Sequence, residues 1–126
     1  MKEKLIKVLK VEPKKTPVVC ELENTLDALQ KAVSIDTDVQ GLIEIINLND
    51  NNCILCNEEG KLIGLEPNRR LGDDIICGVF YVTGQDDEGN LTSLDDVSMA
   101  HYKNTFSKIE DISPDEVNPV FKIFFS

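Results

Sequence analysis

Short apolar segments separated by polar turns run along the chain, and their spacing predicts alternating strands and helices. Residues 5–11 and 18–22 carry strand-like apolar patterns on either side of a proline-bounded turn, so they predict a β-hairpin. Asn24 or Thr25 then caps a helix, with Asp27 in its first turn. The apolar residues that follow fall at helical spacing and form one stripe: Leu26, Leu29, Ala32 and Val33.

The middle of the chain has the pattern of an antiparallel sheet. Apolar segments joined by tight polar turns predict a meander of three strands over residues 41–48, 53–56 and 62–65. The short polar gap at residues 57–60 predicts a hairpin turn in which Gly60 adopts a positive φ. Residues 66–74 are expected to be irregular. Residues 75–83 predict one long buried strand, with Gly78 at a bulge or a close backbone approach.

The last third of the chain adds a helix and a strand. Ser93, with Asp96 three residues later, resembles a capping box and opens a helix that extends to about Lys108. Residues 120–125 have the pattern of a strand at a sheet edge. Together these elements predict an α+β fold, an antiparallel sheet of about five to six strands with two helices packed on one face. We expect a single domain over residues 1–126, made of a core and a C-terminal extension: residues 1–108 and 109–126.

Composition and charge narrow the class of protein. The net charge is -10 and hydrophobic residues make up 41% of the chain, which indicates an acidic protein that folds. Such a surface repels phosphates and argues against direct nucleic-acid binding, although six lysines within residues 1–15 leave that class open. We find no signal-peptide pattern and no apolar run of the ~20 residues that cross a bilayer, so we expect a cytoplasmic protein without membrane contact. Four cysteines fit a reducing compartment.

Residues able to carry catalysis or hold a metal are few. Cys53 and Cys56 lie three residues apart in a predicted strand, where their side chains point to opposite faces and cannot converge on zinc. His101 is the only histidine and has no nucleophile motif nearby. The acidic turn at residues 86–90 lacks the full loop of a calcium site. We therefore expect no metal, no cofactor and no catalytic residue.

The polar stretch over residues 57–70 is the best candidate for a binding site. It contains Arg69 and Arg70, the only arginines of an acidic chain, and a guanidinium suits a carboxylate or phosphate ligand. The alternative is that both arginines pair with nearby acidic side chains and hold the loop in place: Glu66, Asp73 or Asp74. The ligand-binding residues that this stretch predicts are Asn57, Glu58, Glu59, Lys61, Asn68, Arg69 and Arg70.

Several of these motifs resemble a known family. The run over residues 56–80, with its E-G-K-L and P-N-R core, resembles the bacterial domain of unknown function 3846, as do Val11-Glu12-Pro13, the helix at residues 25–33 and Thr92-Ser93-Leu94. The tail after Ile109 departs from the family pattern. The resemblance implies a small cytoplasmic protein often encoded on plasmids, conjugative elements or phage. It transfers no activity and no catalytic residue.

Three hypotheses about function follow from these observations. The first is a binding or regulatory protein that is accessory to mobile genetic elements, with an unknown protein or a small anionic ligand as its partner. The second is a DNA mimic whose carboxylates are spaced like phosphates and inhibit a nucleic-acid enzyme. The third is an enzyme on an anionic or nucleotide-like substrate, with Glu59 or Asp73 as general base and Arg69 as anion clamp. Homo-oligomerisation stays open.

Overall fold

The computed structural model describes residues 4–117. None of the helices in this part of the chain has the length and apolar character needed to cross a membrane. The elements in chain order are β1 (Leu5–Val11), β2 (Val18–Glu23), α1 (Leu26–Ala32), β3 (Ile43–Asn47), β4 (Asn52–Asn57), β5 (Pro67–Leu71), β6 (Asp74–Cys77), β7 (Phe80–Gln85), β8 (Leu91–Thr92), α2 (Asp96–Thr105) and α3 (Pro114–Val117).

The main sheet is antiparallel and has six strands. Five of them follow the order β2-β1-β7-β4-β3, and β8 pairs with the end of β7. The hairpin of β5 and β6 forms a separate two-stranded sheet. The predicted α+β class with an antiparallel sheet is therefore confirmed. Every residue of β4 is buried, because this strand has neighbours on both sides and packing on both faces.

The two longer helices lie on opposite faces of the sheet, so their expected placement on one face is wrong. Alternate residues of β1 separate the faces, because side chains of a strand point alternately up and down. Ile6 and Val8 pack in the cluster that contains Leu29 of α1. Leu9 and Val11 pack in the other cluster, which contains Met99 and Tyr102 of α2 and Ile76 of β6. The fold thus has three layers, with the sheet in the middle.

The helix caps agree only in part with the sequence pattern. Thr25 is the N-cap of α1, as predicted, and its hydroxyl accepts a hydrogen bond from the Ala28 N–H. The N-cap of α2 is Asp95, whose carboxylate accepts from the Ser98 N–H at 2.7 Å. The expected cap, Ser93, instead accepts a hydrogen bond from the Lys7 N–H in β1. Serine and aspartate are both favoured at the N-cap position, and Ser93 and Asp95 lie two residues apart. The sequence pattern alone therefore did not distinguish between them.

The segment between β4 and β7 differs most from the predicted meander. Residues 62–64 form a turn and Leu65 lies in an irregular segment, so no strand forms here; Leu62 and Ile63 are exposed and Gly64 has a φ of 75°. Residues 66–74 are not irregular, because they contain β5 and the turn into β6. The expected long strand over residues 75–83 is broken at Gly78, whose φ is 84°, and its two halves join different sheets.

The C-terminal extension begins by packing against the hairpin. Ile112 is buried and forms a third apolar cluster with Ile75 and Cys77, and Val117 packs against the same cluster. The strand predicted over residues 120–125 lies outside the described residues.

Candidate functional site

The seven predicted site residues fall into separate places. Asn57, Glu58 and Lys61 line one cleft, and Glu59 lines a second cleft that also includes Asn57. Asn68, Arg69 and Arg70 lie on β5, and none of them lines either cleft. The predicted site is therefore not one surface, because β5 buries Asn68 and Arg69 and leaves Arg70 exposed away from both clefts.

The first cleft, called the acidic cleft below, lies between the main sheet and the β5–β6 hairpin. Its volume is about 240 Å³. One wall comes from β3 and β4, and the other from β6; the turn after β4 closes one end. The lining residues are Glu44, Ile46, Cys56, Asn57, Glu58, Gly60, Lys61, Asp74, Ile75, Ile76 and Cys77.

The charge of the acidic cleft is negative. Glu44, Glu58 and Asp74 contribute three carboxylates and Lys61 contributes one ammonium group. The Lys61 ammonium forms an ion pair with Asp74 and is not left as a free cation. Partial burial raises the pKa of the Asp74 carboxyl, but hydrogen bonds from Lys61 and from the Ile75 N–H outweigh it and hold the pKa below its ordinary value. The Asp74 carboxyl is therefore ionised at neutral pH and pairs with Lys61.

The two thiols that line the acidic cleft are held in their protonated form. Cys56 is buried, and its Sγ donates to Glu44 Oε1 at 3.7 Å. Burial and the Glu44 carboxylate raise the pKa of this thiol to about 12. Burial also raises the pKa of Cys77. Both groups stay protonated at neutral pH, which does not suit a nucleophile or a metal ligand.

Gly60 sets the distance between the turn and the hairpin. It is not at positive φ, so the expected reason for a glycine is wrong. A Cβ at this position would lie 2.7 Å from the Cys77 carbonyl oxygen, which is backbone and cannot move aside cheaply. The glycine is required by close approach of two chain segments, and it fixes the end of the acidic cleft.

Arg69 is a structural residue and not an exposed anion site. Its side chain is 1% exposed. The guanidinium donates to the carbonyls of Phe106 (3.0 and 3.2 Å), Lys15 (2.8 Å) and Asn68 (3.3 Å), and to Asn68 Oδ1 (2.8 Å). Phe106 is the C-cap of α2, where a cation is favourable. These contacts leave no fork for an external anion, so the anion clamp required by the enzyme hypothesis is not present at Arg69.

The side chains of Arg70 and Asn68 also have hydrogen-bond or ion-pair partners within the protein. Arg70 forms ion pairs with Glu110 at 3.4 Å and Glu116 at 3.0 Å, so the expected partners Glu66, Asp73 and Asp74 are wrong. Asn68 is fully buried and donates to the carbonyls of Val11 and Gly78, both at 2.9 Å. The sequence pattern gave no sign of this, because the partners lie far away along the chain.

A second cleft, called the apolar cleft below, lies beside the N-terminal end of β3. Its volume is about 410 Å³ and its lining is mostly apolar. The side chains of Val39, Leu42 and Ile63 are 72%, 54% and 47% exposed. Sequence reasoning missed both this cleft and the parts of the acidic cleft contributed by Glu44 and Asp74. No signal in the sequence indicated the apolar cleft, because the apolar runs that contain Leu42 and Ile63 predicted strands.

The remaining candidates for chemistry are the pair Cys53 and Cys56 and the single histidine, His101. Cys53 and Cys56 lie in the clusters on opposite faces of the sheet, as their spacing predicted. Within residues 4–117, no three or more histidine, cysteine or acidic side chains are grouped so that they could hold a metal ion. His101 is exposed on α2, with its ring 4.8 Å from that of Tyr102.

Comparison with known proteins identifies a family for most of this fold. No curated protein and no solved structure matches the chain. The model of the family described as Domain of unknown function (DUF3846) matches residues 6–107, a range that runs from β1 to the C-cap of α2 and includes both walls of the acidic cleft. The chain therefore belongs to the DUF3846 family, in agreement with the motifs over residues 56–80.

Proposed function

We propose that the chain is a small non-enzymatic binding protein whose acidic cleft holds a cationic group of its ligand. The observation that supports this proposal is the charge of the cleft, where three carboxylates face one lysine that already has a partner. A positive group is attracted to such a cleft, whereas a phosphate or carboxylate is repelled. The ligand class is thus the opposite of the anion expected from Arg69 and Arg70.

The protonated thiols support binding rather than catalysis. Neither Cys56 nor Cys77 is poised as a nucleophile, because burial raises the pKa of both. The location that we propose is the cytoplasm, where four unpaired cysteines are the ordinary state. A role on mobile genetic elements rests on the family resemblance alone and stays a proposal.

A titration with two small probes of opposite charge tests the ligand class. Argininamide and inorganic phosphate are added separately to the isotope-labelled protein, and backbone amide shifts are followed by NMR. We expect argininamide to move the amides of Glu44, Glu58, Lys61 and Asp74, because its guanidinium pairs with the cleft carboxylates. We expect phosphate to leave them in place.

A matched pair of variants provides the control for this titration. Glu44→Gln removes one carboxylate from the cleft, and Glu21→Gln removes an exposed carboxylate from β2 at the opposite edge of the sheet. Only Glu44→Gln is expected to weaken the response to argininamide. If phosphate moves the cleft amides and argininamide does not, the ligand is anionic and the proposal is wrong.

A further inference from the structure

The outer edge of β3 separates two clefts of opposite chemistry. β3 is the last strand in the order of the main sheet, so its outer edge has no strand partner within residues 4–117. Glu44 lines the acidic cleft, and Ile46 packs toward the α2 side of the sheet. Ile43 packs toward the α1 side, and by alternation Ile45 points the same way. The two faces of one edge strand therefore present different surfaces.

The face that carries Ile45 is apolar and exposed. Ile45, in the middle of β3, is 54% exposed, and the apolar cleft with Val39, Leu42 and Ile63 lies at the N-terminal end of the strand. Aliphatic side chains left open to water beside an unpaired strand edge are typical of a protein-binding surface. The apolar side chains and the carboxylates lie close enough along β3 for one short segment to reach both.

We propose that β3 binds an extended segment of a partner protein by strand addition, and that this segment alternates basic and apolar side chains. An added strand sends successive side chains to opposite faces of the sheet. Its basic side chains then lie over Glu44 and Asp74, and its apolar side chains lie over Ile45 and the apolar cleft. This inference rests on the proposed function, because it places the ligand's cationic group in the same acidic cleft.

Charge favours a basic partner over a second copy of this chain. The chain has a net charge of -10, and a second copy that paired through β3 would bring its own Glu44 to the same edge. Like charges brought together at an interface oppose association. A segment with lysine or arginine at alternate positions relieves this repulsion and also supplies main-chain hydrogen bonds to the open edge.

Two synthetic peptides of the same composition test the inference. Both are about nine residues long, enough to cover β3 at a rise of about 3.4 Å per residue. One alternates lysine and valine, and the other places all lysines before all valines. We expect the alternating peptide to bind about tenfold more tightly by calorimetry, since only its strand form presents one side-chain type to each face. Hydrogen exchange is expected to slow at β3 and not at β2.

Variants at the two sheet edges complete the test. Ile45→Arg places a positive charge on the apolar side of β3 and is expected to abolish the preference for the alternating peptide. Val19→Arg changes an exposed aliphatic residue on β2 and is expected to preserve it. Folding of both variants is checked by circular dichroism. Equal affinity for the two peptides, or slowed exchange at β2, contradicts the inference.

The two proposals fail in distinguishable ways. If neither peptide binds but argininamide still moves the cleft amides, strand addition is wrong and the proposed function stands. If argininamide also has no effect, the proposed function is wrong as well. Protection of the outer β3 amides in the protein alone shows that the edge is already covered, by a second copy or by residues outside 4–117, and overturns the partner segment as occupant.

Discussion

At the scale of single residues, Arg69 stabilises the fold, although the sequence pattern predicted that it binds a ligand. Its guanidinium joins three parts of the protein that are distant in sequence, namely the turn after β1, strand β5 and the C-terminus of α2. Burial lowers the pKa of this group, although the Glu110 carboxylate acts in the opposite direction. The cost of burying the charge is offset by five hydrogen bonds to backbone and side-chain oxygens.

Replacement of the two arginines is expected to have very different effects on stability. Arg69→Met leaves the carbonyls of Phe106 and Lys15 without partners, and we expect the free energy of unfolding to fall by about 3 kcal/mol. Arg70→Met removes ion pairs at the surface and is expected to cost less than about 1 kcal/mol. Urea denaturation of both variants measures this. Equal midpoints would show that Arg69 does not hold these segments together.

At the scale of elements, the turn after β4 and the β5–β6 hairpin depend on each other through Gly60. A methyl group at this position would meet the Cys77 carbonyl oxygen at 2.7 Å, so one of the two segments must move. The turn carries Glu58 and Lys61, and the hairpin carries Asp74. The geometry of the acidic cleft is therefore set by one glycine that is itself buried.

Substitution of Gly60 is expected to disturb both stability and the cleft. We expect Gly60→Ala to lower the free energy of unfolding by about 1–3 kcal/mol, because the inserted carbon overpacks a backbone contact. Gly64→Ala provides the comparison, since a Cβ there has open space and costs only the roughly 1 kcal/mol of a left-handed φ. Thermal unfolding and NMR shifts at Cys77 and Asp74 check this. A large shift at the hairpin in Gly64→Ala but not in Gly60→Ala would contradict the role of Gly60.

The elements that could be predicted are those whose residues follow a simple burial rule. The sequence located β1, β2 and α1, in which most apolar residues are buried or partly buried; Leu26 of the predicted α1 stripe is an exception, because it is 66% exposed. β5 could not be found this way, because Asn68 and Arg69 are buried polar residues whose partners come from residues 11, 15, 78 and 106. Leu62 and Ile63 were wrongly assigned to a strand, because they are apolar in sequence but exposed in the structure. The burial of these residues depends on tertiary contacts that a one-dimensional pattern does not contain.

The same limit applies to the candidate site. Asn57, Glu58 and Lys61 were found because they lie next to one another in a polar turn. Glu44 and Asp74 belong to strands on either side of that turn, and only the packing of the hairpin on the sheet brings them into the same cleft. Spacing along the chain could not show that an acidic cleft, rather than an arginine site, is formed.

At the scale of the whole molecule, acid is expected to weaken the fold through specific carboxyl groups. Asp27 is held below its ordinary pKa by Lys31 and Gln40, Asp86 by Asn90, and Asp95 by Ser98. A carboxyl group whose pKa is lower in the folded state stabilises the protein above its unfolded pKa, and this contribution is lost as the pH falls through the folded value. The loss is therefore expected below the ordinary value of 3.8.

Asp74 provides a way to measure one such contribution. Its pKa is lowered in the folded state by Lys61 and the Ile75 N–H, against the effect of partial burial. We expect Asp74→Asn to be less stable than the wild type by under about 1 kcal/mol at neutral pH, because the pair is partly exposed. The difference is expected to shrink below pH 3.8, which denaturation at several pH values follows. A difference that grows with acid would reverse the assigned sign.

The break at Gly78 has a mechanical consequence for the cleft. The chain passes there from one sheet to another, so the two walls of the cleft share no ladder of backbone hydrogen bonds. The hairpin is joined to the rest of the protein by that bend and by side chains such as Asn68 and Arg69. Such a unit can detach as a whole in rare sub-global openings. A ligand that contacts both walls binds only the closed form, so its binding lowers the fraction of molecules in which the hairpin is detached.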